Sequence, residues 1–152
     1  MAIKLKLEEE LKKAMKAREA GRVSAVREIL GAIKYAELNK PAPLTDQEEL
    51  EVLSKLKNRH LESIEAFTSG NRAELADKER AELKVIEEFL PALLTAEEVT
   101  ALIREAITEL GAKSMKDMGK VMAKIKDKYV GRADGKAVSE EVKRQLSELA
   151  AS

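Results

Sequence analysis

The sequence has no cysteine, no tryptophan, three prolines and a single histidine in 152 residues, and its aromatic rings are limited to Tyr35, Phe67, Phe89 and Tyr129. Without cysteine there is no disulfide, no thiolate nucleophile and no Cys-ligated zinc, a composition that suits a reducing compartment and sets the expectation of a cytoplasmic protein. The longest stretch free of charge, Phe89 to Ala96, is eight residues. A membrane-spanning helix needs about 20, so no membrane partner is expected. The first residues, MAIKLKLEEELKK, lack the long apolar core and cleavage site of a signal peptide. The length leaves room for one ordinary domain or two small ones, and excludes a large multidomain enzyme.

What is abundant is charge, at 37% of residues, with 28 basic and 28 acidic side chains. The neutral total conceals an uneven distribution. Residues 1–40 carry a net +4, 41–90 a net −5, 91–111 a net −3, 112–136 a net +5, and the last sixteen a net −1. A +5 block within 25 residues can create a local positive potential, although many charge runs are simply solvated helix faces.

Apolar residues recur at three- and four-residue intervals, the helical period, and no alternating β-branched stretch interrupts them, so the expected class is all-α. Leu7, Leu11, Ala14 and Met15 mark a first helix, ended by Gly21; Val23, Val26, Leu30 and Ile33 mark a second, closed by Pro41 and Pro43. Thr45-Asp-Gln-Glu48 is a capping box opening a third, with a stripe of Leu50, Leu53, Leu56, Leu61, Ile64 and Phe67 before Gly70-Asn71. Leu75, Leu83, Ile86 and Leu90 define a fourth. Pro91 marks a domain boundary, because Thr95-Ala-Glu-Glu98 is a second capping box just beyond it. The resulting expectation is a four-helix domain over 1–90 and a three-helix domain over 95–152. Within the latter, Gly111 ends one helix, Ser114-Met-Lys-Asp117 opens the next, and Gly131-Arg-Ala-Asp-Gly135 is the turn before the last.

Enzymatic motifs are absent: no nucleophile elbow, no phosphate-binding loop, no dinucleotide fingerprint and no H-E-x-x-H. A catalytic triad or a metal site would have to recruit His60, which lies mid-helix beside an apolar stripe and reads as a partly buried or surface helix residue. Helical metal sites favour Glu-x-x-His pairs, and Lys57 stands where that glutamate would be. The many glutamates sit four residues from Lys or Arg and read as solvated faces. No catalytic residue, metal or cofactor is expected.

Residues 113–136 differ. Lys116, Lys120, Lys124 and Lys128 are spaced by four and would form one winding row on a helix, opposite an apolar stripe of Met115, Met118, Met122 and Ile125. Gly119 sits inside this helix, at a cost of about 1 kcal/mol relative to Ala; it accommodates either a crossing helix or a nucleic-acid backbone. In the turn, Gly131 and Gly135 could aim successive amides into an anion-holding concavity, with Arg132 as a phosphate fork and Lys136 beside it. The alternative is an ordinary interhelical turn with Asp134 as N-cap, which local sequence favours. Few aromatics argue against a single-strand stacking platform and towards phosphate and ribose contacts on folded RNA.

Three stretches together identify a resemblance: Asn71-Arg-Ala-Glu-Leu-Ala-Asp-Lys-Glu running on to Glu87-Glu-Phe-Leu-Pro91, then Ser114-Met-Lys-Asp-Met-Gly-Lys-Val-Met122, then Gly131-Arg-Ala-Asp-Gly135. In this order the chain resembles the standalone YqeY-like proteins of the GatB/YqeY family over nearly its whole length. The resemblance implies an all-helical N-terminal domain followed by a three-helix domain. It also implies kinship with the C-terminal tail of the B subunit of tRNA-dependent amidotransferases, which touches the outer corner of the tRNA. Gly119-Lys-Val-Met122 matches a Gly-x-Val-Met segment of such tails, and Gly131-Arg-Ala-Asp134 matches most of a second, with Val130 where a basic residue is common. The family label carries a carbon–nitrogen ligase activity with glutamine as amido donor. Amide transfer needs ATP activation and a glutamine-hydrolysing nucleophile, and the sequence shows the apparatus for neither. The expected function is therefore a small cytoplasmic tRNA-binding or tRNA-associated accessory protein. Its RNA-binding residues would be Lys116, Gly119, Lys120, Lys124, Lys128, Gly131, Arg132, Gly135 and Lys136. The alternatives are a scaffold that docks onto amidotransferase subunits, and the ligase activity of the family label.

Overall fold

Helix-forming residues dominate between a few punctuation points, and each of those points does a recognisable job. A computed structural model describes residues 2–151, and seven α-helices follow in order: α1 (Ala2–Lys16), α2 (Ala20–Glu37), α3 (Asp46–Ser69), α4 (Ala73–Glu88), α5 (Ala96–Leu110), α6 (Met118–Tyr129) and α7 (Gly135–Ala151). A single 3₁₀ turn, Met115–Asp117, precedes α6, and no strand occurs among the described residues. The class is all-α, as the periodicity predicts.

The two Thr-x-x-Glu segments form capping boxes as expected. Thr45 Oγ1 accepts from the Glu48 amide at 3.1 Å while Glu48 accepts from the Thr45 amide at 3.1 Å. Thr95 and Glu98 repeat the arrangement at 3.1 and 3.2 Å. Gly111 ends α5 in the left-handed region, at φ 66°. Gly21 does not end the first helix. Arg18 takes the left-handed conformation instead (φ 58°), α1 stops at Lys16, and Gly21 is the second residue of α2. The chain turns at Arg18 because the amides of Ala17, Arg18 and Glu19 fold back onto the last carbonyls of α1.

The chain divides into two compact units between Pro91 and Ala92. In the first, α1 pairs with α2 and α3 with α4 around a core of Leu7, Val26, Ile29, Leu30, Ile33, Leu53, Leu56 and Ile86. The first turn of α1 is held from α3. Asp46 accepts from the Ala2 amide at 3.1 Å, and Glu49, only 1% exposed, accepts from Ile3 and Lys4 at 3.3 and 3.2 Å. Two carboxylates thus satisfy orphan donors at the positive end of a helix dipole, which explains how Glu49 tolerates burial. The α3 stripe departs from expectation at one place: Leu61 is 44% exposed, and its neighbour His60 faces inward, 5% exposed.

In the second unit α5, α6 and α7 enclose Val99, Ile103, Ile107, Val121, Ile125, Val138, Val142 and Leu146. Gln145 bridges two helices from the inside, donating to the Thr100 carbonyl and to Glu141, both at 3.0 Å.

Candidate functional site

The basic segment begins where α5 ends. Asp117 accepts from the Lys113 amide at 2.9 Å, and Ser114 accepts from the Lys116 amide at 3.4 Å. These bonds tighten residues 115–117 into the 3₁₀ turn, so Ser114 opens that turn rather than α6 itself. The four-lysine row is therefore broken: Lys116 lies on the turn, and only Lys120, Lys124 and Lys128 share α6. Met115 leaves the apolar stripe for the same reason and is exposed, while Met118, Val121, Met122 and Ile125 pack on the core.

Lys120, Lys124 and Lys128 are all exposed. Steps of four residues place them about 6 Å apart along the helix, drifting by about 40° each time. Lys124 pairs with Glu109 of α5 at 3.0 Å, and this bond is the main reason the Glu109 carboxyl is held below its ordinary value. Gly119 presents bare, exposed backbone: a Cβ built there meets no atom within 4 Å. Of the two uses foreseen for this glycine, a close crossing by another helix of its own unit does not occur.

The turn after α6 takes the simpler of its two anticipated forms. Gly131 is buried at φ 77°, and the amides of Arg132 and Ala133 both return to the Tyr129 carbonyl at 2.8 and 2.9 Å. Gly135 is not left-handed; it is the first residue of α7. Asp134 caps that helix, its side chain accepting from Lys136 at 3.3 Å and its carbonyl from Val138 at 3.0 Å. A concavity built on two left-handed glycines does not form, because Gly135 is helical and the Arg132 and Ala133 amides already bond the Tyr129 carbonyl. Arg132 is half-buried and its Nε donates to the Ala92 carbonyl at 3.0 Å, while its own carbonyl accepts from Leu94 at 2.8 Å. It secures the segment leading into α5. Lys136 is exposed.

A second cluster lies in the first unit, and helical periodicity gave no sign of it. His60 of α3 directs Nε2 to Glu28 of α2 at 2.8 Å and Nδ1 to Glu79 of α4, with Glu82 of α4 3.7 Å from Nδ1. Burial alone would lower the imidazole pKa, but hydrogen bonds and charge from Glu28 and Glu79 outweigh it and raise it. The Glu82 carboxyl is pushed up by burial first and then by Glu28 and Glu79. Glu79 and Glu82 are half-buried rather than solvated, while Glu28 is exposed. They are remote in sequence, and only the packing of α2, α3 and α4 brings them together.

Comparison with known proteins places this geometry in context. The family model described as Yqey-like protein matches residues 4–146. "Altered inheritance of mitochondria protein 41, mitochondrial" of Lachancea thermotolerans is 34% identical over 107 residues, covering 68% of this chain and 57% of that protein. Its namesake in Kluyveromyces lactis is 35% identical over the same length, covering 68% and 58%. In Saccharomyces cerevisiae the figures are 32% over 94 residues, 61% and 51%. The matched stretch is thus less than two thirds of each of these relatives. Their names overturn the expectation of a cytoplasmic location, since these relatives are named as mitochondrial proteins. A chain without cysteine forms no disulfide in either compartment, so its composition does not separate the two.

Proposed function

The chain belongs to the YqeY-like protein family, and we propose that it is a small accessory protein that associates with folded RNA, tRNA in the first instance. The observation that carries this role is the exposed lysine ladder Lys120–Lys124–Lys128 on α6, beside the bare backbone of Gly119. Three ammonium groups on one face can neutralise successive phosphates and release counterions, and a glycine lets the ribose-phosphate chain approach the helix. Lys116 on the preceding turn and Lys136 in the first turn of α7 are exposed as further cations, while Arg132 braces the segment between α6 and α7. Tyr129 packs on the core, so no stacking platform accompanies the ladder, which favours recognition of shape over base sequence. This role requires a compartment that contains tRNA, which the mitochondrion named for the relatives does.

Filter binding of bulk tRNA at two or more salt concentrations tests the proposal. Replacing Lys120, Lys124 and Lys128 by Ala should weaken binding and reduce the magnitude of the log–log salt slope by about 2–3. Glu109→Gln should strengthen binding a few-fold, because Lys124 would no longer be shared with a carboxylate. No binding at low salt, or equal binding by the triple variant, rejects the role.

A further inference from the structure

We propose that His60, Glu28 and Glu82 form a binding site for one divalent transition-metal ion, with Glu79 orienting the imidazole. This site is in a different unit from the lysine ladder and is independent of the RNA-binding proposal. One ligand atom from each of the three residues lies within 4.8 Å of the others. In a tetrahedral shell with bonds of about 2.0–2.2 Å the ligand atoms stand about 3.3–3.6 Å apart, so side-chain adjustments of up to about an ångström would close the site.

The chemistry of the cluster supports this. His60 is 5% exposed, a position where an imidazole is fixed rather than free to swing. Three carboxylates surround it, and among the described residues none of the three forms an ion pair with a lysine or arginine. Lys78 acts on Glu82 only through its charge. A single imidazolium leaves this group negative, whereas a divalent ion on Nε2, towards which Glu82 would swing from its place 3.7 Å from Nδ1, compensates the charge more fully.

Metal-bound histidines commonly donate their second ring N–H to a carboxylate, which sets the tautomer and the ring orientation. Glu79 already stands at Nδ1 to do this, while Glu28 faces Nε2. One imidazole with two carboxylates suits Zn²⁺ or Mn²⁺ better than Mg²⁺ or Ca²⁺, which prefer all-oxygen shells. Because the ligands come from α2, α3 and α4, the ion would tie three helices of the first unit together.

The test uses the full chain, stripped with chelator and titrated with Zn²⁺ alone and with Mn²⁺ alone. Calorimetry should show one saturating equivalent of at least one of the two ions. At about a hundred times the dissociation constant the melting temperature should rise by about 5–10 °C. Glu28→Gln and Glu82→Gln, both nearly isosteric, should keep the helical circular dichroism and lose the saturable equivalent. Glu79→Gln should bind about 10–100-fold more weakly. Glu74→Gln, on the exposed start of α4, should bind as the parent does. Absence of saturable binding, binding unchanged in Glu28→Gln and Glu82→Gln, or a melting temperature indifferent to both ions would overturn the site.

Discussion

At Glu141 three side chains converge on one carboxylate: Arg144 from the next turn, Gln145 at 3.0 Å, and Thr100 of α5 at 3.4 Å. Their donors hold its pKa down to about 2, the Arg144 bond contributing most. An unfolded glutamate titrates near 4.3. The ionised network therefore stabilises the α5–α7 contact fully above about pH 5, and that stabilisation is lost as pH falls through about 2. Glu141→Gln should lower the urea midpoint at pH 7, lower it less at pH 3, and leave it nearly unchanged at pH 2. Equal losses at all three values would show that the charge plays no part. The Arg144 side of this network follows from spacing, since Glu141–Arg144 and Arg144–Glu148 are neighbours on one helix face. The Thr100 side does not, because it lies across a helix–helix contact.

The elements divide in the same way. Capping boxes at Thr45 and Thr95 were legible because both partners lie within four residues and act on their own backbone. Thr95→Ala should cost about 1 kcal/mol, measured by denaturant unfolding, by releasing the first amides of α5. The start of α6 was legible only in outline. Ser114 and Asp117 do act on the local backbone, yet they build a 3₁₀ turn and displace Lys116 and Met115 from the helix. Gly119 sharpens the account of this element. With open space around it, Gly119→Ala should stabilise the protein by about 0.4–1 kcal/mol. If RNA approaches the bare backbone there, the same substitution should weaken tRNA binding. A gain in stability with tRNA affinity unchanged would remove Gly119 from the interface and leave only the lysines.

For the molecule as a whole, two cores with no shared residue divide the stability. Ile29 and Ile103 are fully buried, one in each. Either one replaced by Ala should cost about 2–5 kcal/mol. Hydrogen exchange should show the loss of protection in residues 2–88 for Ile29→Ala and in residues 96–151 for Ile103→Ala. The sequence by itself determined the helical class, the two Thr-x-x-Glu starts, the Gly111 stop and the apolar stripes, because each depends on residues within one or two turns and on a fixed 3.6-residue period. It also located the basic block, since charge density along the chain survives folding. Only the tertiary structure decided which of those cations remain exposed on one face, that Arg132 braces its own turn, and that Glu49 caps another helix. It alone assembled Glu28, His60, Glu79 and Glu82. Those four are separated by as many as 54 residues and come from three helices. Their proximity depends on how the helices pack, which local periodicity does not encode.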